Sequence, residues 1–244
     1  MLGLHQILLD ENEIAKAANR PKITELKVSF SRDGFHWDRP YRDAFIPATR
    51  VPGSWDRGYV QSVGGICTVV GDQLRFYYIG FKGGDSSSYM HSNGATGMAT
   101  LRRDGFASMS TTGEGSLTTH PVKFSGKYMF VNVNCPAGEL KVEILDKNNK
   151  VIDGFSADKC KAVTIDSTIQ QVEWNGASDL SSLAGQEVRF RFKLKNGDLY
   201  AFWVSPSTNG ESNGYVAGGG PGYTSNKDTE GKKAYEKASG FQKF

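Results

Sequence analysis

The chain has 244 residues, 38% of them hydrophobic and 11% aromatic, with 29 basic against 26 acidic side chains for a net charge of +3. That content is enough to build real cores and excludes a wholly disordered protein, while basic residues scattered singly argue against nucleic acid as a partner. No apolar run approaches the roughly 20 residues needed to cross a bilayer, and the apolar start Met1–Leu9 lacks the basic region and small-residue cleavage site of a signal peptide.

Cys67, Cys135 and Cys160 are an odd number without C-x-x-C spacing, so neither a disulfide framework nor a zinc site is signalled. Cys67 reads as a small buried hydrophobe, and a Cys135–Cys160 bridge is left open. His5, His36, His91 and His120 lie far apart and show no metal-ligand spacing, so no metal or cofactor is expected.

In chain order, residues 1–9 read as an apolar strand and Asp10–Arg20 as a loop or short helix reaching over an edge. Ile23–Phe30 alternates with the period of a half-buried strand. Ser31–Trp37 follows as turn and return strand, with Asp33-Gly34 supplying the turn. Further on, Gly71-Asp72 separates two β-rich runs, Ile66–Val70 and Leu74–Ile79, which are expected to pair as an antiparallel hairpin. Residues 84–94 read as an inserted polar loop.

Arg32-Asp33-Gly34-Phe35 recurs as Arg103-Asp104-Gly105-Phe106, each after a strand and each preceded by an apolar run. A repeated unit of short antiparallel strands is how propellers are built. After Phe106 the texture becomes short alternating runs: Leu117–Phe124, Lys127–Asn134, Glu139–Leu145, Val151–Phe155, Lys161–Ile165, Gln170–Trp174, Gln186–Leu194 and Leu199–Ser205, with a turn expected at Asn196-Gly197. This is the pattern of an antiparallel β-sandwich of about eight strands, with Val188, Phe190, Phe192 and Leu194 facing its core. Glu114 falls in the linker between the two β regions. From Pro206 the pattern is lost, and 207–244 reads as an extended Gly/Ser/Lys-rich tail adding little to stability. The fold class is therefore all-β: a partial β-propeller of about two blades (1–106), an antiparallel β-sandwich (107–206) and a tail (207–244).

The best candidate site is Trp55-Asp56-Arg57-Gly58-Tyr59-Val60-Gln61-Ser62, a charged pair, two large aromatics and an amide within eight positions of a strand. Sugar rings present apolar C–H faces to aromatic platforms such as Trp55 and Tyr59, while Asp56, Arg57 and Gln61 are suited to hydroxyls; the competing reading is that Trp55, beside a Pro-Gly turn, caps a blade. Trp174 and Trp203 are expected in the core.

Ser31–Trp37 resembles the Asp-box turn of sialidase-like propellers, in which the Asp accepts backbone N–H bonds and the Trp packs beneath. With Ser31–Pro40, Phe45–Pro47, Gly53–Ser62, Phe76–Gly80, Arg103–Met109, Asp158–Cys160, Val172–Trp174 and Ala217–Tyr223 in view, the chain resembles the C-terminal portion of five-bladed propeller glycosidases of the invertase, fructanase and arabinanase clan, family 32/43-like. The resemblance implies a glycoside hydrolase-like protein, secreted or periplasmic, whose partner is an oligo- or polysaccharide. Such enzymes carry a nucleophile Asp on the first blade, a stabilising Asp in R-D-P and an acid/base Glu in E-C. None of these motifs occurs here, so no catalytic residue is assigned and the chain reads as the last two blades plus sandwich. Two blades leave strand edges, which implies a homo-oligomer or pairing with a chain carrying the missing blades. The alternative is a non-catalytic carbohydrate-binding or adhesion module.

Overall fold

The computed structural model describes residues 1–9, 12–84 and 90–241. With 44% strand against 8% helix the chain is all-β, and its described residues form two sheets. It divides into two compact units, Met1–Thr68 with Arg75–Thr100, and Val69–Leu74 with Leu101–Phe244. No helix among the described residues is long and apolar enough to cross a membrane.

The first sheet has the order β1-β2-β3-β4-β5, with β1 Leu2–Leu8, β2 Thr24–Phe30, β3 Tyr59–Val70, β4 Gln73–Phe81 and β5 Gly94–Arg102. β1 and β2 pair antiparallel from Leu2↔Phe30 to Leu8↔Thr24. The expected hairpin is present, since β3 and β4 are neighbours joined by Gly71-Asp72, a connection too short for a parallel crossover. β2 meets β3 in parallel at Thr24↔Tyr59. The Thr24 hydroxyl holds that junction, accepting from the Val60 N–H at 2.9 Å and donating to the Val60 carbonyl at 3.2 Å. Leu26 is fully buried and bridges to Ile46; Ile23 and Val60 are buried too, and the Phe76 ring meets Phe45 edge-on at 5.1 Å. The short helix α1, Asn12–Ala17, follows β1 and buries Ala15, while residues 10–11 of the expected connection lie outside the described residues. The expected loop at 84–94 falls partly outside them too.

The repeated tetrapeptide folds in two different ways. At the first copy Gly34 takes the positive φ (83°), and Asp33 Oδ1 accepts the N–H groups of Phe35 (2.9 Å) and His36 (2.8 Å). At the second copy Asp104 takes the positive φ (54°). Its neighbour Arg103 is 8% exposed, with the side chain turned inward. The sequence match thus marks two turns of unlike geometry.

The second sheet runs β6-β10-β7-β9, with β8 also on β10. Its strands are β6 Met109–Thr118, β7 Tyr128–Asn134, β8 Glu139–Leu145, β9 Asp166–Val172 and β10 Arg189–Ser205. Where eight alternating runs were expected, this sheet has five strands, and Val151–Phe155 and Lys161–Ile165 contribute only isolated bridges to Leu145 and Leu140. Asn196-Gly197 is not a turn between two strands but a bend inside one. There β10 leaves β8 (Lys195↔Glu139) and joins β7 (Asp198↔Asn134), with Asn196 at φ 44°. Phe192 and Phe202 would stand roughly 33 Å apart on a straight strand. Their ring centroids are 4.9 Å apart, so the two halves of β10 fold over a shared core. Val188, Phe190, Phe192 and Leu194 line that core as expected, with Met129, Val131, Val133, Leu140, Val142 and Ile144 from β7 and β8. Trp174 is buried there and donates Nε1–H to the Val142 carbonyl at 2.8 Å, whereas Trp203 is half-buried and stacks on Phe130. Glu114 sits within β6 rather than in a linker.

All three cysteines are buried, and Cys135 and Cys160 are free thiols. Burial pushes the Cys135 and Cys160 thiols up, despite backbone hydrogen bonds that act the other way.

Residues 207–241 do not form an extended tail. Val216, Asp228, Ala234 and Ala238 are buried, and a second helix, α2, covers Lys232–Ala238. The glycine run read as flexible is used for close approach: Gly219 accepts from the Val69 N–H at 2.8 Å, and a Cβ at Gly220 would stand 1.8 Å from the Val69 carbonyl oxygen.

Candidate functional site

The five residues singled out from sequence lie in the first unit, on the loop entering β3 and on its first three positions. The loop is shaped by Asp56, 6% exposed, whose Oδ1 accepts from the Thr49 hydroxyl at 2.9 Å and from the Ser54 hydroxyl. Backbone bonds from Thr49 N to Asp56 O and from Arg50 N to Arg57 O close it. Asp56 therefore holds the turn that presents Trp55; its carboxylate is not turned to solvent.

Trp55 lies over the sheet. Its indole is stacked on Tyr78, with ring centroids at 5.6 Å and planes 29° apart. Gly80 of β4 and Gly97 of β5 make room for it, since a Cβ at either would come within 2.5 Å of the indole. The ring remains 37% exposed. Burial, with Asp56 nearby, pushes the Tyr78 phenol up, so it stays a neutral hydrogen-bonding group. Arg57 is half-buried, and its guanidinium has no hydrogen-bond or ion-pair partner among the described residues.

Tyr59 belongs to a different cluster. Its ring meets His91 at 4.4 Å and Phe81 at 5.6 Å, and its hydroxyl donates to Gln6 Oε1 at 3.3 Å. Phe81 is one position past Gly80 on β4, so strand alternation puts it on the opposite face from Tyr78 and Gly80. Trp55 and Tyr59 thus do not form one platform: Trp55 serves the Tyr78/Gly80/Gly97 face, and Tyr59 packs with Phe81 and His91. Gln61, exposed and two positions along β3, lies on the Tyr59 side.

Sequence reasoning missed Tyr78, Gly80, Gly97 and His91. The signal for the first three was there in Tyr77-Tyr78-Ile79-Gly80 and Ala95-Thr96-Gly97, where a glycine interrupts a strand pattern and marks close approach. His91 carried no such signal.

Comparison with family models, with curated proteins and with solved structures returns no match to this chain. Among the described residues no group of three or more His, Cys, Asp or Glu side chains could hold a metal ion.

Proposed function

We propose that this chain is a glycoside hydrolase-like protein, two propeller blades followed by a β-sandwich, that binds an oligo- or polysaccharide through the exposed part of Trp55 and the adjacent Arg57. What carries the reading is the seating of Trp55: a partly exposed indole braced from behind by Tyr78, with glycines cleared beneath it, and two positions along the loop a cation that no group among the described residues engages. An indole held in this way offers a rigid apolar surface to a sugar's C–H face at small entropic cost, and a free guanidinium supplies donors for its hydroxyls.

The role proposed is binding rather than hydrolysis. Glycoside hydrolysis needs two carboxyl groups flanking the bond, and the one carboxylate in this cluster, Asp56, is buried and engaged by Thr49 and Ser54. The same reading takes the chain to self-associate, or to pair with a polypeptide carrying further blades, along the edge strand β1, where Leu8 and, just past the strand, Leu9 are exposed. Light scattering that finds a monomer at every concentration would remove that part.

The direct test is titration of the full chain with a panel of neutral oligosaccharides, wild type against Trp55→Ala. A loss of about tenfold or more in affinity supports the site. Saturable binding that Trp55→Ala leaves unchanged would move the carbohydrate site elsewhere and favour the non-catalytic module reading.

A further inference from the structure

A second aromatic groove lies on the β1–β2 face of the first unit. Gly3 and Ser29 are directly paired across the two strands, and His5 is two positions along, so all three project from one face. Trp37 lies over Gly3, where a Cβ would come within 2.8 Å of the indole, and its Nε1–H donates to the Gly34 carbonyl at 3.0 Å, which fixes the ring's orientation. The ring is 43% exposed. With Arg39 these residues line an open groove of about 430 Å³.

Two features go beyond what packing explains. His5 Nδ1 is 3.4 Å from the Ser29 hydroxyl, but its Nε2 is buried with no hydrogen-bond partner among the described residues. Buried polar atoms are nearly always paired, so this unpaired nitrogen behind the groove wall is unusual. Arg39 is exposed, and its guanidinium has no ion-pair or hydrogen-bond partner among the described residues. Burial, with Arg39 nearby, lowers the His5 pKa, so the imidazole is neutral at pH 7 and one of its nitrogens is an acceptor.

We propose that this groove binds an acidic saccharide, with Trp37 stacked on the sugar's C–H face beside the His5 wall and Arg39 paired with the carboxylate. The guanidinium decides the class: a neutral sugar would leave it unused, whereas a uronate carboxylate fits its two-pronged donor geometry. The site is separate from Trp55 and extends the carbohydrate reading to a second ligand.

The test is calorimetric titration of the full chain with trigalacturonate and, as neutral control, maltotriose. The wild type is expected to bind trigalacturonate saturably and in preference to maltotriose. Trp37→Ala should weaken that binding about tenfold or more. Arg39→Gln, on an exposed side chain that cannot unfold the protein, should abolish the preference, and Trp55→Ala should leave trigalacturonate binding unchanged. Absence of saturable trigalacturonate binding, or an unchanged preference in Arg39→Gln, would overturn the proposal. So would binding that depends on Trp55 and not on Trp37. Neutral-oligosaccharide binding that depends on Trp55, with no response to trigalacturonate, would leave the Trp55 site standing while this one fell.

Discussion

Arg103 Nη2 donates to Asp228 Oδ2 at 2.8 Å, an ion pair formed across 125 positions of chain with both side chains nearly inaccessible. The guanidinium sits between the rings of Tyr223 and Tyr235, 5.6 and 5.3 Å from their centroids. Asp228 Oδ1 in turn accepts the Gly231 N–H at 2.8 Å, just ahead of α2. Burial alone would favour a neutral Arg103, but its surroundings, with Asp228 and Asp104 supplying the negative charge, outweigh it and hold the guanidinium charged. This pair ties the segment after Pro206 into the second unit.

Asp228→Ala should therefore destabilise the protein severely, because it leaves a buried guanidinium without its counter-charge, a change that costs about 3–5 kcal/mol. Removing residues 225–244 should cost at least as much, since it also strips the Tyr235 ring from Arg103 and the Tyr235 hydroxyl from Thr168 at 2.8 Å. Urea denaturation of each variant is the measurement. An unchanged midpoint in Asp228→Ala would show that the pair contributes nothing net.

The bend in β10 gives a second expectation. Where β7 turns into β8, Gly138 lies against the bend, and a Cβ there would stand 1.8 Å from the Lys195 carbonyl oxygen and 2.6 Å from its carbon. Both are backbone atoms of a paired strand and cannot swing away. Gly138→Ala should cost more than about 2 kcal/mol, the scale of overpacking in a tight interior, with a fall in Tm readable by circular dichroism. Gly113, with nothing within 4 Å of its Cβ position, is the control site and should tolerate alanine.

How much of this was legible beforehand follows the range of the interaction. The β3–β4 hairpin and the inward set Val188, Phe190, Phe192 and Leu194 rest on period-2 alternation and turn chemistry within a few residues, and both are present. The bend at Asn196-Gly197 used residues that also make hairpin turns, and only the register with β7 and β8 distinguishes the two outcomes. The segment after Pro206 departs from the expected tail because glycine serves both flexibility and close approach. Gly220 against Val69, and Asp228 against Arg103, are contacts between distant positions that composition does not encode. At the candidate site the same limit applies. Trp55 stood out locally, but its separation from Tyr59 depends on where Tyr78 and Phe81 of β4 project.

The Trp55 seat yields a further prediction. Gly97→Ala places a methyl group 2.5 Å from the indole and 2.6 Å from the Tyr78 ring, so the stack must shift. Trp55 fluorescence should change in the variant and neutral-oligosaccharide affinity should fall. Because the displaced groups are partly exposed side chains, stability should drop by less than in Gly138→Ala. Unchanged fluorescence with unchanged affinity would mean that the seat is not what shapes the site.

The last prediction concerns pH. Asp33 is held well below the usual carboxylate range by the His36 side chain, with Nδ1 2.6 Å from Oδ2, then by the His36 and Phe35 N–H groups, with the Ser31 hydroxyl adding a smaller part. A carboxyl whose folded pKa lies below its unfolded value stabilises the fold fully above the unfolded pKa, about 4, and loses that contribution as pH falls toward the folded value. The Asp33 carboxylate's own contribution to the stability difference between wild type and Asp33→Asn should accordingly be fully present just above pH ~4 and shrink steadily below it. The turn is exposed, so the difference is small, and the decisive readout is the Asp33 carboxyl carbon followed by NMR. A midpoint near the ordinary Asp value would show that the Ser31–Trp37 turn does not depend on that charge. A midpoint displaced downward in the wild type, moving back toward the ordinary value in His36→Ala, would identify His36 as the largest cause, as the geometry has it.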